Sequence, residues 1–355
     1  MAGGYIRAPR CIISTDGGDF TPLECEVSVS KKQSANSFSA TLALDDPNGL
    51  SESYWLDTAP INVTVMGTND STTGGYVQMF VGAVDQVDVD LANRTVAITG
   101  RDKTQEMTDQ KTNEKWQNKK PEDIITELAG RSGLGVQIDG SSQDKAGLKY
   151  KDDYNRISEY DSHWNMIVRL AKSMGCIAFV YGTTVYVQPY DSNNGGTYQL
   201  HYQAPTNGSP AQGNFTMIRC GRQLNLSKTV KVKHQSWRHK EGEAIKSEFS
   251  SQGKGSGNLE YTFKGANLTK QQQDQLAKTK LNEILSHERS LNIEMPGDVT
   301  LTPLMSVALS GTGTSADQDY LIQDIHHHWS FDGGYMMSLD VRNQDSSRGG
   351  ASQDS

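Results

Sequence analysis

The stretch SHWNMIVRLAKSMGCIAFVYGTTVYVQP, Ser162 to Pro189, limits the folds open to this chain more than any other. Ser162 is of N-cap type, able to accept a hydrogen bond from a free first-turn N–H. Trp164, Ile167, Val168, Ala171 and Met174 then recur at steps of three and four, the spacing of one buried helical face. Gly175 follows as a helix stop. Two β-rich runs, Cys176 to Tyr181 and Val185 to Pro189, flank Gly182, Thr183 and Thr184, which suit a hairpin turn. The spacing therefore predicts helix, strand, tight turn, strand, with these five apolar side chains as structural core.

The sequence around this unit is rich in strands and turns. Residues 1 to 108 alternate in short runs: Cys25 to Ser30, Phe38 to Leu44, Pro60 to Met66, Val77 to Val89 and Thr95 to Thr99. Asp45-Asp46-Pro47-Asn48-Gly49 and Leu91 to Arg94 read as turns between them. Strands at this spacing predict a small barrel or sandwich. Residues 103 to 118 are polar and irregular; Pro121 then opens a helix with Ile124, Ile125, Leu128 and Ala129 on its apolar face. After the 140–160 polar loop and the central unit, Phe215 to Cys220, Leu224 to Leu226 and Thr229 to Trp237 again read as strands. The 238–260 region, charged and then Gly/Ser-rich, reads as a mobile loop. Thr269 with Gln272 fits a capping box, and Ala277, Leu281, Ile284 and Leu285 give the following helix a narrow apolar stripe. Strands resume at Ser290 to Met295 and Val307 to Ser310. A last pair, Tyr320 to Trp329 and Tyr335 to Val341, turns at Phe331 to Gly334.

Composition closes some doors. A chain of 355 residues with 35% hydrophobic residues can bury a core while keeping a large wetted surface. No run approaches the roughly 20 apolar residues of a membrane span, so no membrane insertion is expected. The N-terminus shows no secretory apolar core. A net charge of −8 argues against stable nucleic-acid binding by phosphate neutralisation. Cys11, Cys25, Cys176 and Cys220 form no C-x-x-C pair and are expected to be reduced.

The order of these features resembles a known family. A β region ends in Gly100-Arg101-Asp102, a Pro-initiated helix follows, and then W-x-x-I-V-R-L-A-x-x-x-G-C with its hairpin. A second β region closes with a long helix, the Pro296-Gly297-Asp298 turn and a terminal hairpin from Asp319-Tyr320-Leu321-Ile322 through His328 to Gly334-Tyr335. This is similar to the baseplate hub of contractile-tailed phages: the phage Mu hub, the late control protein D family and the hub part of VgrG. The resemblance spans 20 to 343. It implies a mixed, mainly β fold: two small β-barrel domains, an intervening α/β domain, and a helix-containing insertion in the second barrel. The implied boundaries are 1–108 for a tail-tube-like first barrel and 109–195 for the α/β domain. The second barrel is then split into 196–237 and 290–343 around a 238–289 insertion; residues 344–355, polar and of low complexity, read as a disordered tail. It further implies a homotrimer in the virion tail baseplate, assembled in the host cytoplasm. The implied partners are a trimeric tail spike protein, the tail tube protein and other baseplate proteins. The chain carries no fused spike, so a separate spike partner is expected.

No catalytic or cofactor site is expected. In His326-His327-His328 at most His326 and His328 share a strand face, and no Cys or acid at ligand spacing accompanies them. A structural strand with one packed histidine is the expectation. Glu159, Asp161 and His163 precede the central helix and read as capping and dipole compensation rather than acid–base groups. Ser14 to Gly18 and Gly253 to Gly257 lack the Gly-Lys-Ser/Thr of a phosphate loop. The Lys228 to Lys240 run reads as a solvated strand face. Asp85, Asp88 and Asp90 are candidates for a channel wall, although alternation puts Asp85 on the face opposite the other two. The competing reading, a tail-associated cell-wall hydrolase, needs a paired-carboxylate cleft or a metal or cysteine triad, and the sequence offers neither.

Overall fold

The computed structural model describes residues 8–44, 50–70, 75–112, 116, 119–140, 161–238, 243–251, 253, 255–266 and 270–344. The Asp45–Gly49 turn, nearly all of the 140–160 loop with Glu159, Thr269 of the expected capping box, and the tail beyond Gln344 lie outside them.

The chain is mainly β, and one long strand organises it. In the first half, Cys25, Val27, Val29, Phe38, Ala40 and Leu42 point inward from strands Glu24–Ser30 and Ser37–Ala43, while serines, threonines and glutamates alternate outward. The antiparallel order continues through Thr95–Asp102, Val77–Asp90, Asn62–Thr68, Arg10–Thr15 and Gly18–Phe20. In the second half, Met217–Arg222, Arg289–Pro296, Gly334–Asn343, Asp319–Ser330, Ser306–Ser310, Thr197–Gln203 and Gln212–Gly213 pair in that order.

Strand Asp319–Ser330 belongs to both halves. Its start pairs with Ser306–Ala308; beyond an irregularity between Ile322 and Asp324, its Asp324–Ser330 run pairs with Glu24–Ser30. The extra residue there, Gln323, receives the Lys31 N–H on its carbonyl at 2.8 Å. Asp324 accepts from Ser30 Oγ at 2.6 Å and Lys32 Nζ at 2.5 Å. A bulge bends a strand and re-aims it, and here it lets one strand leave one partner for another. The result is a single 14-stranded sheet. The hydrophobic cores follow suit: Val299, Trp329 and Tyr335, from the C-terminal half, pack in the core of the first half. Gly297 permits this, since a Cβ there would sit 2.3 Å from the Tyr335 ring.

The α/β unit lies beside the sheet. Helix His163–Ser173 starts at Ser162, whose hydroxyl accepts from Asn165 N–H at 3.1 Å, and stops at Gly175 with φ +72°. Cys176–Tyr181 and Thr184–Pro189 form the hairpin, and Gly135–Ile138 adds a parallel third strand. Helix Pro121–Arg131 packs in the same core.

Four expectations need correction. Strand Thr229–Arg238 does not join the second half; it pairs with Glu243–Ser251 and Asn258–Ala266 in a separate three-stranded sheet. The boundary expected at 237 therefore cuts a strand of the insertion. The expected mobile loop at 238–260 is, in its described part, mostly strand. Its charges mark a wetted sheet face, where Lys231 meets Glu248 at 3.4 Å and Lys233 meets Glu260 at 2.7 Å. Leu224–Ser227 is a 3-10 turn, not a strand. The region read as irregular after 103 holds helix Thr104–Asp109, which buries Met107. The insertion is closed by helix Lys270–Ser286, whose Ala277, Leu281 and Leu285 pack on Val230, Val232 and Phe249. This helix also reaches the α/β unit: Gln275 Nε2 donates to Met174 O at 2.6 Å.

Candidate functional site

The outward face of the shared sheet gathers the polar side chains that the cores leave free. Adjacent strands present His326 and His328, then Glu24, Glu26 and Ser28, then Ser37 and Ser39, then Thr99 and Arg101, then Asp85, Asp88 and Asp90. A shallow groove of about 330 Å³ lies across its middle, lined by Glu26, Ser28, Ser39, Asp85, Thr99 and Arg101 among others.

Asp85 reaches this face by a bulge. Val84 opposes Gly100 and Gln86 opposes Thr99, so Asp85 is the extra residue of strand Val77–Asp90. One inserted residue inverts the alternation. Asp85 thus shares the exposed face with Asp88 and Asp90 instead of opposing them. Its carboxylate accepts from Arg101 Nε at 2.7 Å, an interaction that holds the guanidinium firmly protonated. Asp88 accepts from Gln86 Nε2 at 2.8 Å. Asp90 accepts from the Ala92 and Asn93 N–H groups, each at 2.9 Å; these bonds, chiefly those from Asn93, hold its carboxyl below the usual range.

The three histidines separate by face. His327 points inward and is buried, its Nδ1 2.8 Å from Tyr335 Oη. Its ring stacks on Trp329, and Trp329 on Tyr335, with centroids 5.5 and 4.3 Å apart. Burial drives its pKa down to about 3, with the neighbouring His326 adding to the effect. His326 Nδ1 lies 2.8 Å from Ser28 Oγ. His328 Nε2 lies 3.0 Å from Glu24 Oε1 and 4.0 Å from Glu26 Oε1. No local spacing announces these two acids, because cross-strand register delivers them from the other end of the chain.

The remaining candidates do not converge. Asp161 is ion-paired with Arg169, and His163 is buried with its N–H donated to Gln110 O at 2.9 Å. Trp164, Ile167, Ala171 and Met174 are buried in the α/β core, with Val168 partly buried against it. Among described carboxyl groups, Asp102 is pushed up to about 6, by burial. It lies beneath the sheet, accepting from Asn36 Nδ2 at 2.8 Å, away from the groove. A general acid needs a proton in reach of substrate; the groove instead offers an Asp85 carboxylate locked to Arg101. Its chemistry is that of a wetted anionic surface.

The sequence matches the family described as phage tail baseplate hub (GPD) over residues 37–333. No curated protein sequence matches. Among solved structures, a tail protein from Neisseria meningitidis MC58 is similar at TM-score 0.69 and 13% identity, over 96% of this chain and 98% of that one. The prophage MuSo2 43 kDa tail protein from Shewanella oneidensis gives 0.68 and 12%, over 95% and 99%. An E. coli component of the type VI secretion system, described as structurally similar to T4 bacteriophage tail proteins gp27 and gp5, gives 0.53 and 9%, over 99% and 78%. At these identities the likeness is one of fold.

Proposed function

This chain belongs to the phage tail baseplate hub (GPD) family, and on that footing we propose that three copies form a ring joining the tail tube to a trimeric central spike. Its role is that of a structural baseplate protein. In the proposed ring each copy contributes two barrel-like halves, so that three copies meet a six-fold tube on one side and a three-fold spike on the other. Other baseplate proteins surround it, it catalyses nothing, and it assembles in the host cytoplasm. Four free thiols suit that reducing compartment.

The observation that carries this reading is the shared sheet. Strand Asp319–Ser330 fixes both halves in one hydrogen-bonded surface. One face of that surface carries mainly short hydroxyl side chains and carboxylates beside His326 and His328, with Arg101 held by Asp85. Such a face suits a channel through which DNA must pass. Each free Lys or Arg on a channel wall would displace counterions and hold a phosphate; carboxylates repel it. Asp85, Asp88 and Asp90 are accordingly assigned to the channel wall. Phe331, 89% exposed at the tip of the terminal hairpin beside the half-exposed Leu23, offers an apolar rim for subunit contact.

Light scattering at micromolar concentration should give the mass of three chains alone, and that mass plus a bound spike trimer when a spike protein is present. A chain that stays monomeric under both conditions would defeat the ring. A gel-shift titration at low salt should show no tight DNA binding, since three chains carry a net charge of about −24 by addition. Tight binding there would remove the channel argument.

A further inference from the structure

We propose that His328, Glu24 and Glu26 form a binding site for a divalent transition-metal ion, zinc being the best fit. The inference rests on sheet geometry and not on the hub reading. The three side chains stand on one face of two paired strands, where His328 is directly opposite Glu26 and Ser330 opposite Glu24. Their ligand atoms all lie within 4.8 Å of one another.

The spacing matches what a metal requires. Zinc bonded at 2.0–2.2 Å to nitrogen and oxygen in a tetrahedron separates neighbouring donors by roughly 3.3–3.5 Å. The two measured His328 Nε2 to carboxylate distances, 3.0 and 4.0 Å, bracket that value. Side-chain rotations alone close the difference, since all three groups are partly or largely exposed and the strands beneath them are fixed. One imidazole with two carboxylates is a borderline-hard N,O donor set, suited to zinc and its first-row neighbours. The fourth position, facing solvent, remains for water. The metal takes the place of the proton that otherwise bridges imidazole and carboxylate, and it neutralises two like charges on consecutive outward positions of one strand.

His326 provides the internal control. It shares the face with His328, two residues away, but its Nδ1 is engaged by Ser28 Oγ at 2.8 Å and it is not part of the cluster. A His-x-His surface chelate would need His326 and ignore the glutamates. The proposed site needs the glutamates and ignores His326.

The test is calorimetric titration of the full chain with zinc chloride, repeated with cobalt for its visible absorption. The unaltered chain should bind one ion per chain with a tetrahedral cobalt spectrum. His328→Ala and Glu26→Gln should each weaken binding by more than about tenfold, since losing even an outer partner of a ligand costs that much. His326→Ala should leave it within about twofold by the same comparison. Circular dichroism verifies that each surface variant is folded. Absence of binding by the unaltered chain overturns the site. So does loss of binding in His326→Ala with retention in Glu26→Gln.

Discussion

Replacing Trp164 with alanine is expected to remove about 3–5 kcal/mol of stability, the usual cost of deleting a large buried aromatic. Trp164 is 4% exposed and packs with Met166, Ile167 and Leu170 in the α/β core. It also does something that packing alone would not require. Its indole Nε1–H donates to Gln33 O at 2.8 Å, in the turn between strands Glu24–Ser30 and Ser37–Ala43. The same turn holds Asn36, whose Nδ2 donates to Val180 O at 2.8 Å. Trp164→Phe separates the two contributions: it keeps most of the apolar bulk and loses only the hydrogen bond, for about 1 kcal/mol. Chemical denaturation of the three proteins measures both. An alanine variant of unchanged stability that fails only to bind a spike would show Trp164 to be an interface residue.

Acid should destabilise the protein through His327, and the effect has a definite sign. In the unfolded chain a histidine takes up a proton as pH falls through about 6.5. In the fold, burial keeps His327 neutral down to about 3. Between these values the unfolded state binds the extra proton, so stability falls with pH, by roughly 4–5 kcal/mol across the window. Asp102 opposes this over part of the range. Burial raises its pKa to about 6 in the fold, although the Thr104 and Asn36 hydrogen bonds pull the other way. The folded state therefore binds the extra proton between about 6 and about 4, and stability gains about 2–3 kcal/mol as pH falls through that interval. Denaturation midpoints at pH 7 and pH 4.5 should show a modest net loss. His327→Gln should remove the loss, and Asp102→Asn should deepen it. A deeper loss in His327→Gln would mean that the histidine is charged in the fold.

What could be read from the sequence was what local spacing determines. The helix capped by Ser162 and stopped by Gly175, with its hairpin, needs only neighbours three or four residues apart. The run of features from Gly100-Arg101-Asp102 to the terminal hairpin was enough to suggest the hub family. The shared sheet was not legible, because nothing in Cys25 to Ser30 names a partner strand at Asp324 to Ser330. Asp85 was placed on the wrong face because an inserted residue leaves no mark in a polar strand. His328 looked isolated for a different reason: Glu24 and Glu26 meet it only through cross-strand register. The insertion misled differently. Thr229 to Trp237 read as a strand, but the Ser, Lys, Glu and Gly content that follows reads as loop, and only pairing with that strand reveals Glu243–Ser251 and Asn258–Ala266 as its neighbours.

The strand shared by both halves also sets a schedule for synthesis. Glu24–Ser30 emerges from the ribosome long before Asp324–Ser330, the run that pairs with it. At about 5–20 residues per second, the intervening chain takes roughly 15–60 s to make. Throughout that time one side of Glu24–Ser30 is an open edge, a template for pairing with the wrong chain. The nascent first half must wait with its outermost N–H and C=O groups unmatched and without Trp329 and Tyr335 in its core. Glu24 and Glu26 stand on that edge. Two negative charges at successive outward positions discourage a second nascent copy from docking there, and serve as a temporary guard until the C-terminal strand arrives.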